Sequence, residues 1–149
     1  MAMDLVDGTM DGECLCGAVT VHVSGRHEGQ PGACHCSICR TWTGGLFVGF
    51  HAEDDAVTVE GDVRTYRSSP FADRAFCPVC GTSLWIRDLE TGSGYDLMPG
   101  LFPALHGAPL KSEIYSDQAP AYIALSGDHV RQTQAEWEAN HPFVEGDVR

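Results

Sequence analysis

Residues 12–23 read Gly-Glu-Cys-Leu-Cys-Gly-Ala-Val-Thr-Val-His-Val. Val19, Val21 and Val23 fall on one side of a two-residue repeat and Thr20 and His22 on the other, the alternation of a half-buried strand. The same parity carried back to Cys14 and Cys16 sets both thiols on a common face, within reach of one metal ion. Working outward, the remaining five cysteines are also clustered: Cys34-x-Cys36-x-x-Cys39 and Cys77-x-x-Cys80 account for all of the chain's seven. Thiolates this close in sequence repel unless a cation holds them, and zinc is the usual holder. Disulfides would require strained short-range bridges and leave one thiol over.

The chain has 149 residues, 43% hydrophobic and 20% charged, which suits one domain with a real core. Nine Lys and Arg against 21 Asp and Glu give a net charge of -12, so nucleic acid is not an expected partner. No apolar run is long enough to span a membrane. Residues 1–12 carry three aspartates and no basic residue, which argues against a secretory or transit signal. A reducing cytoplasm is therefore the expected location for the seven thiols.

Short strands are expected over Leu46–Ala52, Val57–Glu60, Val63–Arg67, Arg74–Cys77 and Ser83–Arg87, with late strands at Ile114–Gln118 and Ala121–Leu125. Ser24–Ala33 reads as a Gly/Pro-rich loop. Ser37–Trp42 suits one helical turn capped by Ser37. Thr133–Asn140 is the convincing helix, with Thr133 as cap and Glu136 at the capping-box position. The expected layout is a flexible segment over 1–11, a zinc-binding β domain over 12–130, and a C-terminal helix and tail over 131–149.

Seven ligands divide naturally into four and three. Cys14, Cys16, Cys77 and Cys80 would close a tetrahedron and staple two distant segments together. Cys34, Cys36 and Cys39 can hold a second ion on one turn, leaving its fourth position open to water or substrate. The alternative is closure of that site by a histidine, for which His51, His106 and His129 are candidates. His35 lies between two ligands that point the other way, so it is expected behind the metal or exposed. Gly44-Gly45 suits a close backbone approach beside the metal loop, or a simple turn.

The segments GECLCGAVTVHV, ACHCSICRTWTGG and YRSSPFADRAFCPVCGTSLWIRD resemble the glutathione-dependent formaldehyde-activating enzyme family, which shares its domain with centromere protein V. The resemblance runs from Gly12 to about Asp88 and places all seven cysteines on motif positions. It implies a mainly β, Mss4-like tent with little helix and two zinc ions per chain. One is structural, on Cys14, Cys16, Cys77 and Cys80; the other is catalytic, on Cys34, Cys36 and Cys39. It further implies a carbon–sulfur lyase that joins a thiol such as glutathione to an aldehyde such as formaldehyde. Beyond Asp88 the likeness fades: Glu113 and Tyr122 stand where relatives often carry His and Trp.

An anionic thiol substrate would need positive groups in this acidic chain. Arg40, directly after the third ligand, ranks first among Arg40, Arg64, Arg67 and Arg74, each of which could equally be a paired structural arginine. Trp42, Phe47, Phe71 and Trp85 could wall a pocket or simply fill the core. The competing reading of the whole chain is a non-catalytic zinc module that binds a protein partner.

Overall fold

A computed structural model describes residues 4–90 and 93–142. Eleven strands and two short helices follow in the order β1 (Leu5–Glu13), β2 (Thr20–Glu28), β3 (Gly32–Cys34), α1 (Ser37–Thr43), β4 (Phe47–Ala52), β5 (Val57–Glu60), β6 (Arg64–Ser69), β7 (Ala72–Phe76), β8 (Ser83–Asp88), β9 (Tyr95–Leu97), β10 (Ser112–Ile114), β11 (Val130–Gln132) and α2 (Gln134–Glu138). The expected mainly β architecture with little helix is what the chain adopts. Among the described residues, no helix is long and apolar enough to cross a membrane.

One path of hydrogen-bonded strands runs β11-β10-β3-β4-β9-β8-β7-β6, while β2 joins β1, β4 and β5 beside it. The valines of β2 explain this arrangement. Val19, Val21 and Val23 are at most 1% exposed and pack with Phe50, Leu84, Leu97 and Phe102 in the larger core. Thr20 and His22 face the partly exposed side, as the alternation requires.

Three expectations are corrected. Residues 5–11 of the segment expected to be flexible belong to β1, which pairs with β2 in antiparallel register from Leu5↔Glu28 to Glu13↔Thr20. Alternating Val6, Gly8, Met10 and Gly12 gave little hydrophobic signal, yet a nine-residue ladder satisfies the backbone without one. Consequently Cys14 and Cys16 do not lie on a strand but in the turn joining β1 to β2. Most of the loop expected over Ser24–Ala33 is strand as well, because β2 continues to Glu28 and β3 begins at Gly32. Late in the chain, β10 ends at Ile114 and Ser116–Gln118 is a single 3-10 turn, while Ala121–Leu125 forms no strand. The helix is present as α2, with Thr133 and Glu136 forming the capping box. The tail beyond residue 142 lies outside the described residues.

Candidate metal centres and the cavity at the cysteine trio

Two knuckles of the same design form the first centre. Cys14 N donates to the Val19 carbonyl (3.0 Å) and Cys77 N to the Thr82 carbonyl (2.9 Å), so each turn closes five residues on. Gly17 (φ 78°) and Gly81 (φ 77°) provide the left-handed step in each. Leu15 N donates to Thr82 Oγ1 (3.1 Å) and ties one knuckle to the other. The sulfur of Cys16 then stands 3.6 Å from that of Cys14 and 3.8 Å from that of Cys77. A tetrahedron of thiolates at zinc–sulfur bonds of about 2.3 Å has edges of about 3.8 Å, so these spacings fit a zinc ion. Cys14, Cys16, Cys77 and Cys80 are one of two groups of potential metal ligands among the described residues whose ligand atoms all lie within 4.8 Å of one another.

The second group is Cys34, Cys36 and Cys39, all buried. Cys34 ends β3, opposite Phe47 of β4, and the other two sit at the start of α1. Cys36, rather than Ser37, caps this helix: its sulfur accepts from Cys39 N at 3.4 Å. Gly44 (φ 79°) ends it in open space, so the Gly44-Gly45 pair is a helix terminus and not a close backbone approach. Hydrogen bonds from the Cys34 and Cys39 thiols lower Cys36 to about 3, whereas Cys34 is pushed well up by its bonds to Cys36 and Cys39 and by burial. One thiolate thus suppresses ionisation of its neighbours. A cation among the three sulfurs would remove that conflict, as the donor set suits.

None of the proposed histidines joins this trio among the described residues. His106 is exposed; His129 Nε2 bonds to Glu113; His51 stands near Asp96, with Nδ1 at 3.4 Å from its carboxylate. His35, fully buried, points away from the sulfurs, and its Nε2 meets Glu113 Oε1 at 2.8 Å. Glu113 also receives Arg131 Nε at 3.0 Å, making a buried ionic cluster behind the cysteine turn. The sequence showed Glu113 only as a departure from relatives; the structure shows what it holds.

The trio opens on a cavity of about 310 Å³. Alternation on the strands builds its walls: Phe47, Gly49 and His51 from β4, Ser112 and Ile114 from β10, Ile86 and Asp88 from β8, Ala72 and Arg74 from β7. Beside the sulfurs, Phe47 and Tyr115 share a buried apolar cluster with the three cysteines, and Ile86, Ile114 and Trp137 pack against that cluster. His51 lies four residues along β4 from Phe47, roughly 13 Å at strand rise. Around it are Asp96 and the Lys111–Glu28 pair, bonded at 2.8 Å.

The arginine nearest the sulfurs is Arg74. It is 1% exposed, with Nη2 3.5 Å from Cys39 Sγ, Nε on Ser68 Oγ (3.0 Å), and its guanidinium 5.0 Å from the Trp42 ring centre. Arg40 is not on the cavity wall; its Nε donates to the His35 carbonyl (2.8 Å) and braces the cysteine turn. Arg67 pairs with Asp73 on the surface and Arg64 is exposed. Phe47 and Phe71 line the cavity, whereas Trp85 packs in the larger core and Trp42 against the trio's cluster.

Two wall residues gave no signal in the sequence. Tyr115 is the one non-glycine residue at positive φ among the described residues (54°), a conformation costing about 1–2 kcal/mol. It is 2% exposed and donates its hydroxyl proton to Glu138 Oε1 at 2.8 Å. Trp137 comes from α2, far along the chain from any cysteine.

A family model for the glutathione-dependent formaldehyde-activating enzyme matches residues 9–118. An uncharacterized lyase of Schizosaccharomyces pombe is 30% identical over 111 residues, which cover 74% of this chain and 80% of that protein. A crystal structure of a Rhodobacter sphaeroides protein superposes with a TM-score of 0.52 at 22% identity, over 82% of this chain and 99% of that one. With the cysteine groups lying inside the matched span, the chain belongs to the glutathione-dependent formaldehyde-activating enzyme family.

Proposed function

We propose that the protein is a zinc-dependent carbon–sulfur lyase or synthase, acting on the adduct of a glutathione-like thiol with an aldehyde or related small molecule. The observation that carries this reading is the buried trio Cys34, Cys36 and Cys39, which faces a cavity and is joined by no fourth protein ligand among the described residues. Cys14, Cys16, Cys77 and Cys80 would hold a structural zinc ion and the trio a catalytic one. Zinc bound by three thiolates supplies a soft Lewis acid that lets an incoming thiol ionise at neutral pH.

In the forward direction the thiol loses its proton, and a new carbon–sulfur bond forms as the carbonyl π pair moves to oxygen, which takes up a proton. The reverse step breaks the same bond. Arg74, against Cys39 Sγ, offsets negative charge gathered on the sulfurs. Phe47, Ile114 and Tyr115 keep water from the reacting end. Lys111, paired with Glu28, and His51, beside Asp96, are the cationic groups at the other end that a carboxylate tail would meet. Arg40 holds the cysteine turn from behind.

Calorimetry on the zinc-loaded protein tests this. Glutathione should bind with release of a proton, counted by repeating the titration in buffers of different ionisation enthalpy. Absence of binding by a panel of small thiols, with both ions present, would overturn the lyase reading in favour of a module that binds a protein partner.

A further inference from the structure

α2 has five residues, too few to hold helical form alone. It is held by side chains of the turn that follows β10. Tyr115 donates to Glu138 Oε1 (2.8 Å), Gln134 N donates to Asp117 Oδ1 (2.8 Å), and Gln118 Nε2 donates to Gln134 Oε1 (3.2 Å). The helix therefore has a fixed seat, and what it brings to the cavity is Trp137. The indole is itself fixed by stacking on His141, with centroids 3.6 Å apart and planes 9° from parallel. α2 also lies beyond residue 118, where the match to the family model ends.

The wall that Trp137 completes is apolar and packs against the cluster that holds the cysteine trio, with Arg74 the charged side chain at the sulfurs, whereas Glu28, Asp96 and Lys111 line the cavity with His51 down β4. A thiol seated with its sulfur at the trio and its polar tail towards His51 would place the carbon bonded to sulfur under this wall. A one-carbon adduct has no group to bury there, and the aromatic surface would gain nothing from it.

We propose that the cavity selects thiol adducts whose reacting carbon bears an apolar alkyl or aryl group, and that Trp137 is the residue that sets this preference. The inference rests on the thiol-adduct reading and adds to it the class of the second substrate, an aldehyde with a hydrophobic substituent.

Thioethers of glutathione test it without reaction. On the zinc-loaded protein, calorimetry would compare S-methyl-, S-butyl- and S-hexylglutathione. Affinity should rise along the series, the hexyl conjugate binding more than about tenfold tighter than the methyl one. Trp137→Ala should reduce that ratio to below about threefold, chiefly by weakening the hexyl conjugate. Trp137→Gln, which keeps helix propensity and part of the side-chain volume but replaces the aromatic face with a polar amide, should also flatten the series and decides the matter if the alanine variant is poorly folded. A flat series in the wild type, or an unchanged ratio in both variants, overturns this inference alone. Failure of all three conjugates to bind overturns the thiol reading, and this inference with it.

Discussion

Glu113 Oε1 meets His35 Nε2 at 2.8 Å, and the two side chains are 7% and 1% exposed. His35 lies between the ligand candidates Cys34 and Cys36, and its backbone N donates to the Ile114 carbonyl (3.1 Å), so β10 grips the cysteine turn by both main chain and side chain. The opposite face of β10 carries Ser112 and Ile114 into the cavity. One three-residue strand thus braces the metal turn from behind and walls the site in front.

Breaking that brace should be costly. Glu113→Gln should destabilise the fold by about 2–4 kcal/mol, since it removes the charge that His129, His35 and Arg131 surround. Burial raises the Glu113 carboxyl, but hydrogen bonds from His129 and His35 outweigh it and bring the group below its ordinary 4.5. Its stabilising effect is therefore complete above that value and fades as pH falls through the lowered one. Thermal midpoints from pH 7 to 3 should converge for wild type and variant at the acid end. A constant gap would mean that Glu113 contributes no charge-dependent stability.

Arg74 should govern the middle site selectively. Arg74→Met keeps most of the buried volume but withdraws the cation 3.5 Å from Cys39 Sγ. Zinc affinity of the trio should fall by about 10–100-fold, the range for partners that orient metal ligands. The four-cysteine site should be unaffected. Competition with a chelator would resolve the two ions, and equal weakening of both would assign Arg74 a role in general stability.

His51 gives the far end of the cavity a pH dependence. Asp96 raises its pKa against the opposing effect of burial. The imidazolium is present below that raised value and lost above it, so S-methylglutathione, which has no thiol to ionise, should bind more weakly as pH rises through it. His51→Ala should remove the dependence. A pH profile identical in wild type and variant would exclude His51 as a carboxylate contact.

The cysteine groups were legible because their spacing is local: two atoms on one short turn are close whatever the rest of the chain does. The valines of β2 were legible because burial follows strand parity. Arg74 stood out only as one of four candidate arginines, and Tyr115, Glu113 and Trp137 not at all as site residues, since each is placed near the trio by pairing between distant strands or through the seat of α2. Arg40 drew attention by adjacency in sequence, yet adjacency on a helical turn sends successive side chains in different directions, and it faces the His35 carbonyl instead. Residues 1–11 read as flexible because Gly8 and the aspartates around it dilute the hydrophobic pattern, whereas β1 runs from Leu5 to Glu13. Gly12 is close-packed all the same: a Cβ there would meet the Leu101 carbonyl and the Phe102 ring at 2.9 Å.

The two cysteine groups should part company under mutation. Cys77→Ser removes a ligand from the pair of knuckles that joins the β1–β2 turn to the β7–β8 turn, in the larger core where Cys77 is fully buried. Metal affinity and folding energy are one quantity in such a site, so the variant should lose one zinc ion and more than about 3 kcal/mol of stability. Cys36→Ser removes a ligand from the trio but leaves the α1 cap in place, because a serine oxygen accepts from the third helical amide at least as well as a thiolate does. It should lose the other ion, abolish proton release on adding glutathione, and keep its thermal midpoint within a few degrees of wild type. Zinc per chain, read beside thermal unfolding, separates the two. If Cys36→Ser unfolds as readily as Cys77→Ser, the trio is a second staple and has no position to offer a substrate.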